Sequence, residues 1–505
     1  MGSRRISPPN RRRVAETPHA RTPWLIGLLL LALAIRLGAM FTQIYVIFAD
    51  ETFQYLEQGH RLAFGDGIVP WEYHDGIRSW LMPGAIAGLM RIGVMLGDGP
   101  LAYLWLTRGA CVLLSLSVVW VAFRMGERRG GLGPAVLAGG FCAVWFDLVW
   151  LAPAVLTEMV AAHLVLLGIG LADHEDESPP RTGKLLAAGV CLGLAACLRY
   201  QYAPAIAAIA LWQYRLSWSR WWPALTGGIG VALVAGGVLD WITWGAPFQS
   251  VWLHFLRNTV DGVGSAMGTD PATYYLTYLN VALWPAPLLL FLAVIGATRA
   301  PVLGLAALVT ILLHTMVPHK EVRFIYLALA VAPILIAFGA AALLARFNRQ
   351  GPAWIALSLV VWSGLSWFGA TGPALAERWS FNRSATEAFL AASRLPDLCG
   401  LAARDMRLID SGGYAYLHRD VPLFFSDSAG AVELPNSRVT LRFTAERHRR
   451  PEPLRSIPAT GGYNAMIAAA GWSEPGFTRL ACFEEAGRGD KPPFCLFHAP
   501  ERRCD

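Results

Sequence analysis

The chain has 505 residues, 55% of them hydrophobic and only 15% charged, with a mean hydropathy of +0.43. Soluble domains carry about 25% charged residues, so the composition excludes an ordinary soluble globule and predicts a polytopic membrane protein. The formal charge of +7 is then read by position, as a signal of orientation, not as a sign of nucleic-acid binding.

Residues 1–23 hold six arginines and no apolar core. The apolar run that follows, 24–48, is too long for a cleaved signal peptide and reads as a signal anchor with a basic, cytoplasmic tail before it. A spanning helix needs roughly 20 apolar residues. Candidate spans are 24–48, 101–123, 132–150, 157–172, 184–199, 201–214, 222–244, 276–297, 301–317, 323–345 and 352–371, eleven in all. The short pair 184–199 and 201–214 meets at Arg199-Tyr200-Gln201-Tyr202 and reads as two half-depth helices. The loop DHEDESPP, 173–180, reads as a solvated cytoplasmic linker.

The run WLMPGAIAGLMRIGVMLG in 79–97 is nearly long enough to span but contains Pro83 and Arg91. If it lies flat on the membrane, the loops on the N-terminal side hold sixteen Lys and Arg. If it spans, ten of them move to the opposite side. The positive-inside rule favours the flat arrangement. Residues 52–64 read as a short amphipathic surface helix, apolar at Tyr55, Leu56, Leu62 and Ala63 and polar at Glu57, Gln58 and Arg61. Eleven spans from a cytoplasmic start place residues 372–505 outside the cytoplasm. That tail has soluble composition, a helix-like stretch at 382–394, and strand-like runs MRLID, VPLFF, RLACF and FCLFH, which predict a small α/β domain. It also holds four cysteines, Cys399, Cys482, Cys495 and Cys504, enough for two disulfides in an oxidising compartment, with three pairings open. Its Ser411-Gly412-Gly413 fits either a plain turn or a close approach to a ligand.

The chemistry-bearing stretch is 50–79, DETFQYLEQGHRLAFGDGIVPWEYHDGIRS, with acids Asp50, Glu51, Glu57, Glu72 and Asp75 between segments that belong in lipid. Ionisable residues at a membrane edge mark a functional site by default. Asp50 and Glu51 are adjacent and diverge by about 100° on a helix, so they cannot share one task. Asp50 fits two roles, general base on a sugar hydroxyl or N-cap of the helix after it. The second cluster, Pro318-His319-Lys320-Glu321-Val322-Arg323-Phe324, enters the span 323–345 with Pro318 expected in its first turn. His319, Lys320 and Arg323 sit at helical spacings that converge on one patch at a helix N-terminus, which suits a phosphate leaving group, although interfacial snorkelling produces the same residues. Arg199 is a lone intramembrane arginine that either reaches the phosphate or pairs with a neighbouring helix. His163 and His314 read as satisfied core histidines. No Cys or His spacing is that of a zinc site.

DETFQYLEQGHRLAFGDG…WEYHDGIRS followed far downstream by HKEVRF resembles the lipid-phosphomannose-dependent mannosyltransferases of glycosyltransferase family 22, and within them the branch that adds the third mannose of the GPI anchor. The resemblance covers roughly residues 24–345, and the outer loop 253–276 shares in it, although the family's Tyr-Gly-x-His-Pro-Trp pattern appears here as Met267-Gly268-Thr269-Asp270-Pro271-Ala272. It implies a GT-C fold: mainly α, about eleven spans, surface helices in the first outer loop (50–100), a catalytic membrane domain over 24–371, and here a small α/β domain after it. It implies Asp50 as base with Glu51 assisting, His319, Lys320, Arg323 and Arg199 on the donor phosphate, and Glu72, Arg78 and Ser79 shaping the loop or holding the acceptor. The implied partners are a polyprenyl- or dolichyl-phosphate sugar, a glycan or glycolipid acceptor and the bilayer, with no metal or other cofactor. Arginine outnumbers lysine 39 to 3, which points to a GC-rich bacterial genome and hence a bacterial inner membrane with the site outside the cytoplasm, or the ER lumen in a eukaryote. The same chemistry with an arabinose or hexose donor, and a transporter or flippase, are the rival functions. A transporter should show repeated halves and midplane breaks, whereas here the polar motifs gather on one face.

Overall fold

The computed structural model describes residues 22–42, 48–174, 181–215, 217–425, 432–433, 440–441, 444–447, 450–453, 455–458, 461–484 and 493–504. The expected basic tail, most of the acidic linker 173–180 and part of the soluble tail lie outside the described residues. Each of the eleven expected apolar runs is helical over most of its described length, and the chain is mainly α.

Among the described residues five helices are long and apolar enough to cross a bilayer alone: Thr22–Thr42, Pro100–Gly130, Trp218–Trp244, Val322–Arg346 and Pro352–Thr371. Tyr274–Ala282 and Ala286–Arg299 make a sixth if their 99° bend is counted as one broken span. The others are short. Leu132–Val144, Thr157–Ala172, Thr182–Leu198 and Pro301–Met316 have 13 to 17 residues. At 1.5 Å per residue such helices fall short of a ~30 Å hydrocarbon core, so length alone assigns five or six spans against the eleven expected. Of these, Leu132–Val144 and Thr157–Ala172 are mostly buried, whereas Thr182–Leu198 and Pro301–Met316 keep exposed apolar side chains such as Leu186, Leu308 and Leu312. Ala286–Arg299 and Tyr326–Arg346 cross on a reciprocal pair of glycines. A Cβ on Gly296 would strike the Leu335 carbonyl, and one on Gly339 the Leu292 carbonyl. Small residues of this kind let apolar helices approach where no hydrophobic drive separates helix from lipid.

The first loop does not lie on the surface. Glu51–Leu56 is a single π-helical turn that runs on into the α-helix Glu57–Phe64, and all ten residues from Glu51 to His60 are buried. One side of this helix faces Leu81–Leu96, where Gly59 packs on Ile86. The other faces the C-terminal domain. It is covered on both sides, and Gln54, Glu57, Gln58 and His60 find hydrogen-bond partners within the protein. Leu81–Leu96 itself rests on the first turns of Pro100–Gly130, through Gly93 and Tyr103.

The C-terminal domain is the expected α/β unit. Its six-stranded sheet runs in the order 478–483, 494–498, 465–469, 401–403, 423–425, 455–456, antiparallel across the first three strands and parallel across the rest. The helix Arg383–Ala392 packs on it through Ala385, Ala388 and Phe389. Of the expected strands, VPLFF, RLACF and FCLFH form, whereas MRLID ends in a 3-10 turn at Leu408–Asp410. Two disulfides close, Cys399–Cys504 and Cys482–Cys495. The domain is tied back to the first loop by a strand, since Gly67–Val69 pairs antiparallel with Thr444–Arg447.

Candidate active site

Asp50 opens the π turn in right-handed helical geometry (φ −60°, ψ −33°) and makes no capping bond with its side chain. Its Oδ2 instead accepts a hydrogen bond from Arg323 Nη2 at 2.5 Å. The two motifs that stand 273 positions apart in the chain are thus in direct contact. Single π turns inside α-helices recur at functional sites, and here the turn sets Asp50 and Glu51 on different sides. Glu51 is buried, and its Oε1 accepts from Arg108 Nη2 and from the Val155 amide, each at 3.3 Å. Burial raises the Glu51 pKa against the pull of Arg108. The structure does not bring Glu51 to the site of Asp50, because the adjacent residues diverge as helix geometry requires.

The 319–323 cluster also divides. Pro318 was expected in the first turn, but helix geometry begins only with a 3-10 turn at Val322–Ile325 and leaves Pro318 outside it. Lys320 is buried, and its Nζ donates to the carbonyls of Val317 (2.7 Å), Asp270 (3.0 Å) and Pro318 (3.3 Å). An ammonium has three N–H bonds, so Lys320 is fully engaged in stitching this turn to the 267–272 loop and is not aimed at a phosphate. His319 does the same, with Nδ1 at 3.1 Å from the Gly268 carbonyl and Nε2 at 3.2 Å from Glu321. The hydrogen bond to Glu321 raises the His319 pKa. Burial alone would raise Glu321, but Arg323 and His319 outweigh it and hold that carboxyl at about 2. Of the four residues expected on the donor, His319, Lys320, Arg323 and Arg199, Arg323 is the one that meets Asp50.

Two further arginines stand beside it. Arg323 Nε lies 3.6 Å from Glu158 Oε1, and Arg199 Nη2 lies 3.3 Å from the same oxygen. Arg199 sits at the break between Thr182–Leu198 and Ala203–Tyr214, where its backbone leaves helical geometry. Arg78 and Arg199 both line a narrow cleft together with Tyr55, Ser79, Thr157, Gln201 and His254. Burial and these two guanidiniums hold the His254 imidazole well below its usual pKa, so it is neutral. The Nε of Arg78, the Nε of Arg199 and the Nε and Nη1 of Arg323 are buried N–H groups without a hydrogen-bond acceptor in the structure. Buried donors are nearly always satisfied in a folded protein. Two of them are on cleft-lining arginines and two on Arg323, which meets Arg199 across Glu158, and together they are a match for an oxyanion. Glu72 accepts from Gln54 Nε2 at 2.6 Å, and burial, partly offset by Arg78 and reinforced by Asp50, pushes it up to about 7. Ser79 Oγ accepts from the Leu81 amide at 3.3 Å, starting that helix. Among the described residues no three His, Cys, Asp or Glu side chains gather as metal ligands.

Glu158 and His254 were not singled out in the sequence. Glu158 carries a signal, an acid inside the apolar run 157–172, and intramembrane acids point to partners. His254 lies in the 253–276 loop already noted, without a motif of its own. His163 and His314 are buried as expected, bonded to Tyr326 and to the Thr310 carbonyl, but each leaves its second ring nitrogen without a partner.

The model of the Alg9-like mannosyltransferase family matches residues 27–372. GPI mannosyltransferase 3 of Yarrowia lipolytica is 27% identical over 322 residues, 62% of this chain and 61% of that protein. GPI mannosyltransferase 3 of Drosophila melanogaster is 28% identical over 320 residues, 60% of this chain and 54% of that protein. The chain therefore covers less than two thirds of the length of these relatives. Among solved structures, ArnT from Cupriavidus metallidurans bound to undecaprenyl phosphate superposes with a TM-score of 0.62 at 14% identity, over 94% of this chain and 98% of that one. That likeness is one of fold, the GT-C fold, and it extends through the C-terminal domain, which the family match does not reach.

Proposed function

The chain belongs to the Alg9-like mannosyltransferase family, and from that premise we propose that it moves a mannosyl residue from a polyprenyl or dolichyl phosphate to a hydroxyl of a glycan or glycolipid. The observation that carries the reading is the contact of Asp50 with Arg323 beside a cleft whose arginines hold unengaged buried donors. The side chain of Asp50 is 30% exposed, against 2% for Glu158 and 1% for Glu51. Glu321 is 26% exposed but is held by both Arg323 and His319, which leaves Asp50 as the base in this reading. In a single displacement Asp50 takes the acceptor proton as the hydroxyl oxygen bonds to the anomeric carbon. The bond from that carbon to the phosphate oxygen breaks, and its electron pair leaves with the lipid phosphate, which inverts the anomeric configuration. The transition state has oxocarbenium character, and preorganised guanidiniums oppose the charge that grows on the departing phosphate. Arg199 and Arg78 are placed for this, with Arg323 orienting the base; His319 and Lys320 shape the neighbouring turn. Three guanidiniums supply the positive charge, so the reaction as written uses no metal.

The relatives' shared name supports mannose and a GPI-like acceptor. The undecaprenyl phosphate held by the Cupriavidus protein supports a lipid-phosphate donor in this fold. The excess of Lys and Arg on the loops expected opposite supports a site on the non-cytoplasmic face. The whole-chain likeness to that protein also favours a second reading, the same transfer with another lipid-phosphate sugar. Purified protein in nanodiscs, offered a panel of lipid-phosphate sugars, decides between them. In the same assay Asp50→Asn, which keeps an oxygen facing Arg323, should lose about 10²–10⁴-fold in turnover while donor binding is retained. Wild-type turnover in that variant removes Asp50 from the base role.

A further inference from the structure

The soluble domain reaches the catalytic loop from behind. Its segment Gly413–Leu417, with His418 after it, lies against the helix that starts at Asp50. Glu57 accepts the Ala415 amide on Oε1 and the Ile68 amide on Oε2, each at 2.6 Å. The Ala415 carbonyl accepts from Tyr103 Oη, and His418 Nδ1 lies 2.9 Å from His60 Nε2. Gly413, at φ +58°, has no room for a side chain. A Cβ there would stand 2.5 Å from Glu57 Oε1. The Gly412-Gly413 pair therefore serves a protein contact.

One of these contacts continues to the base. Tyr416 Oη accepts a hydrogen bond from Arg108 Nη2 at 2.7 Å, and the same Nη2 reaches Glu51 Oε1 at 3.3 Å. Glu51 is the residue after Asp50, and its carboxylate is further held by the Val155 amide. We infer that Tyr416 of the C-terminal domain is a positioning residue for the transferase site, acting through Arg108 and Glu51 to fix the turn that presents Asp50. The chain of contacts is buried throughout, with Glu51 and Tyr416 1% and 0% exposed. The domain is thereby a working part of the enzyme and not a tethered appendage. This inference rests on the reading of Asp50 as base.

Tyr416→Phe removes the hydroxyl and keeps the ring. In the full-length protein its kcat should fall about tenfold, the scale of one lost charge-assisted hydrogen bond, with the Kd for a polyprenyl-phosphate sugar unchanged. In a Glu51→Gln background, where the relay is already cut, Tyr416→Phe should add little; an independent structural effect would add in full. If Tyr416→Phe does not survive extraction folded, Arg108→Lys is read by the same split, since it keeps the charge and loses the fork. Wild-type kcat in folded Tyr416→Phe, or equal losses in kcat and donor affinity, overturns the inference. Asp50→Asn separates the two levels. If it turns over normally the base assignment itself falls; if it is inactive while Tyr416→Phe is normal, only the relay falls.

Discussion

Arg323→Lys tests whether the site depends on the shape of a guanidinium or only on its charge. In the native protein one nitrogen, Nη2, bonds Asp50 at 2.5 Å and Glu321 at 2.8 Å, while Nε stands 3.6 Å from Glu158. A lysine ammonium is a point on a shorter reach and cannot face three carboxylates set around a planar fork. The bond given up first is the one to Asp50, which comes from a different segment. A hydrogen bond to a charged group is worth about 1.5–3 kcal/mol, so at ~1.4 kcal/mol per decade kcat/KM should fall roughly 10- to 150-fold. Arg323→Gln removes the charge as well. It leaves Glu158 and Glu321 short of a partner, and breaking a buried pair costs about 3–5 kcal/mol, so this variant should lose thermal stability too. The assay is turnover of a lipid-phosphate sugar in nanodiscs, with a melting curve for each variant. Lysine within threefold of wild type at unchanged melting temperature would refute the argument from geometry.

Glu57 is pushed up to about 8 by burial, against the amides of Ile68 and Ala415. A carboxyl whose folded pKa lies above its unfolded value of 4.5 stabilises the fold below that unfolded value. The contribution is lost as pH rises through 8. The difference in melting temperature between wild type and Glu57→Gln should therefore shift against the wild type from pH 5 to pH 8.5; a constant difference contradicts the burial of this group. Peptide mapping without reduction should find Cys399 joined to Cys504 and Cys482 to Cys495, with any other pairing counting against the fold of the tail. Cutting the first, which closes 105 residues, should cost the domain about 2–5 kcal/mol, read as a lower melting temperature of Cys399→Ser.

The membrane part was legible where apolar runs are long, and the two motifs of the site were legible because charge is rare around them. Pairing was not. Glu158 is tolerable in an apolar helix only because Arg199 and Arg323 approach it from segments far along the chain, and nothing local announces that. Lys320 shows the converse: its charge stands out in the sequence, yet its three N–H groups end on carbonyls, a fate that depends on where the 267–272 loop passes. The strand Ala465–Ala469, AMIAA, was missed because a strand flanked on both edges by others and mostly buried has no alternation to read. The helix 51–64 was amphipathic as expected, but its polar face meets the C-terminal domain where water was expected, since Glu57 and His60 find partners in Ala415 and His418.

The charges of the site also explain why Arg323 belongs with the base and not only with the phosphate. Three guanidiniums, Arg78, Arg199 and Arg323, stand among four carboxylates, Asp50, Glu72, Glu158 and Glu321. Glu72, at about 7, is partly protonated and so partly neutral at neutral pH, which brings the group close to balance before an anionic donor arrives. An incoming phosphate meets the open N–H groups of these arginines but must compete with Asp50 and Glu321 for Arg323 Nη2. In the proposed reaction that competition is relieved at the right moment. Proton transfer neutralises Asp50 and weakens its charge-assisted bond to Arg323, while negative charge is growing on the leaving oxygen. The guanidinium released by the base is available to the leaving group, so one ion pair links the two ends of the displacement.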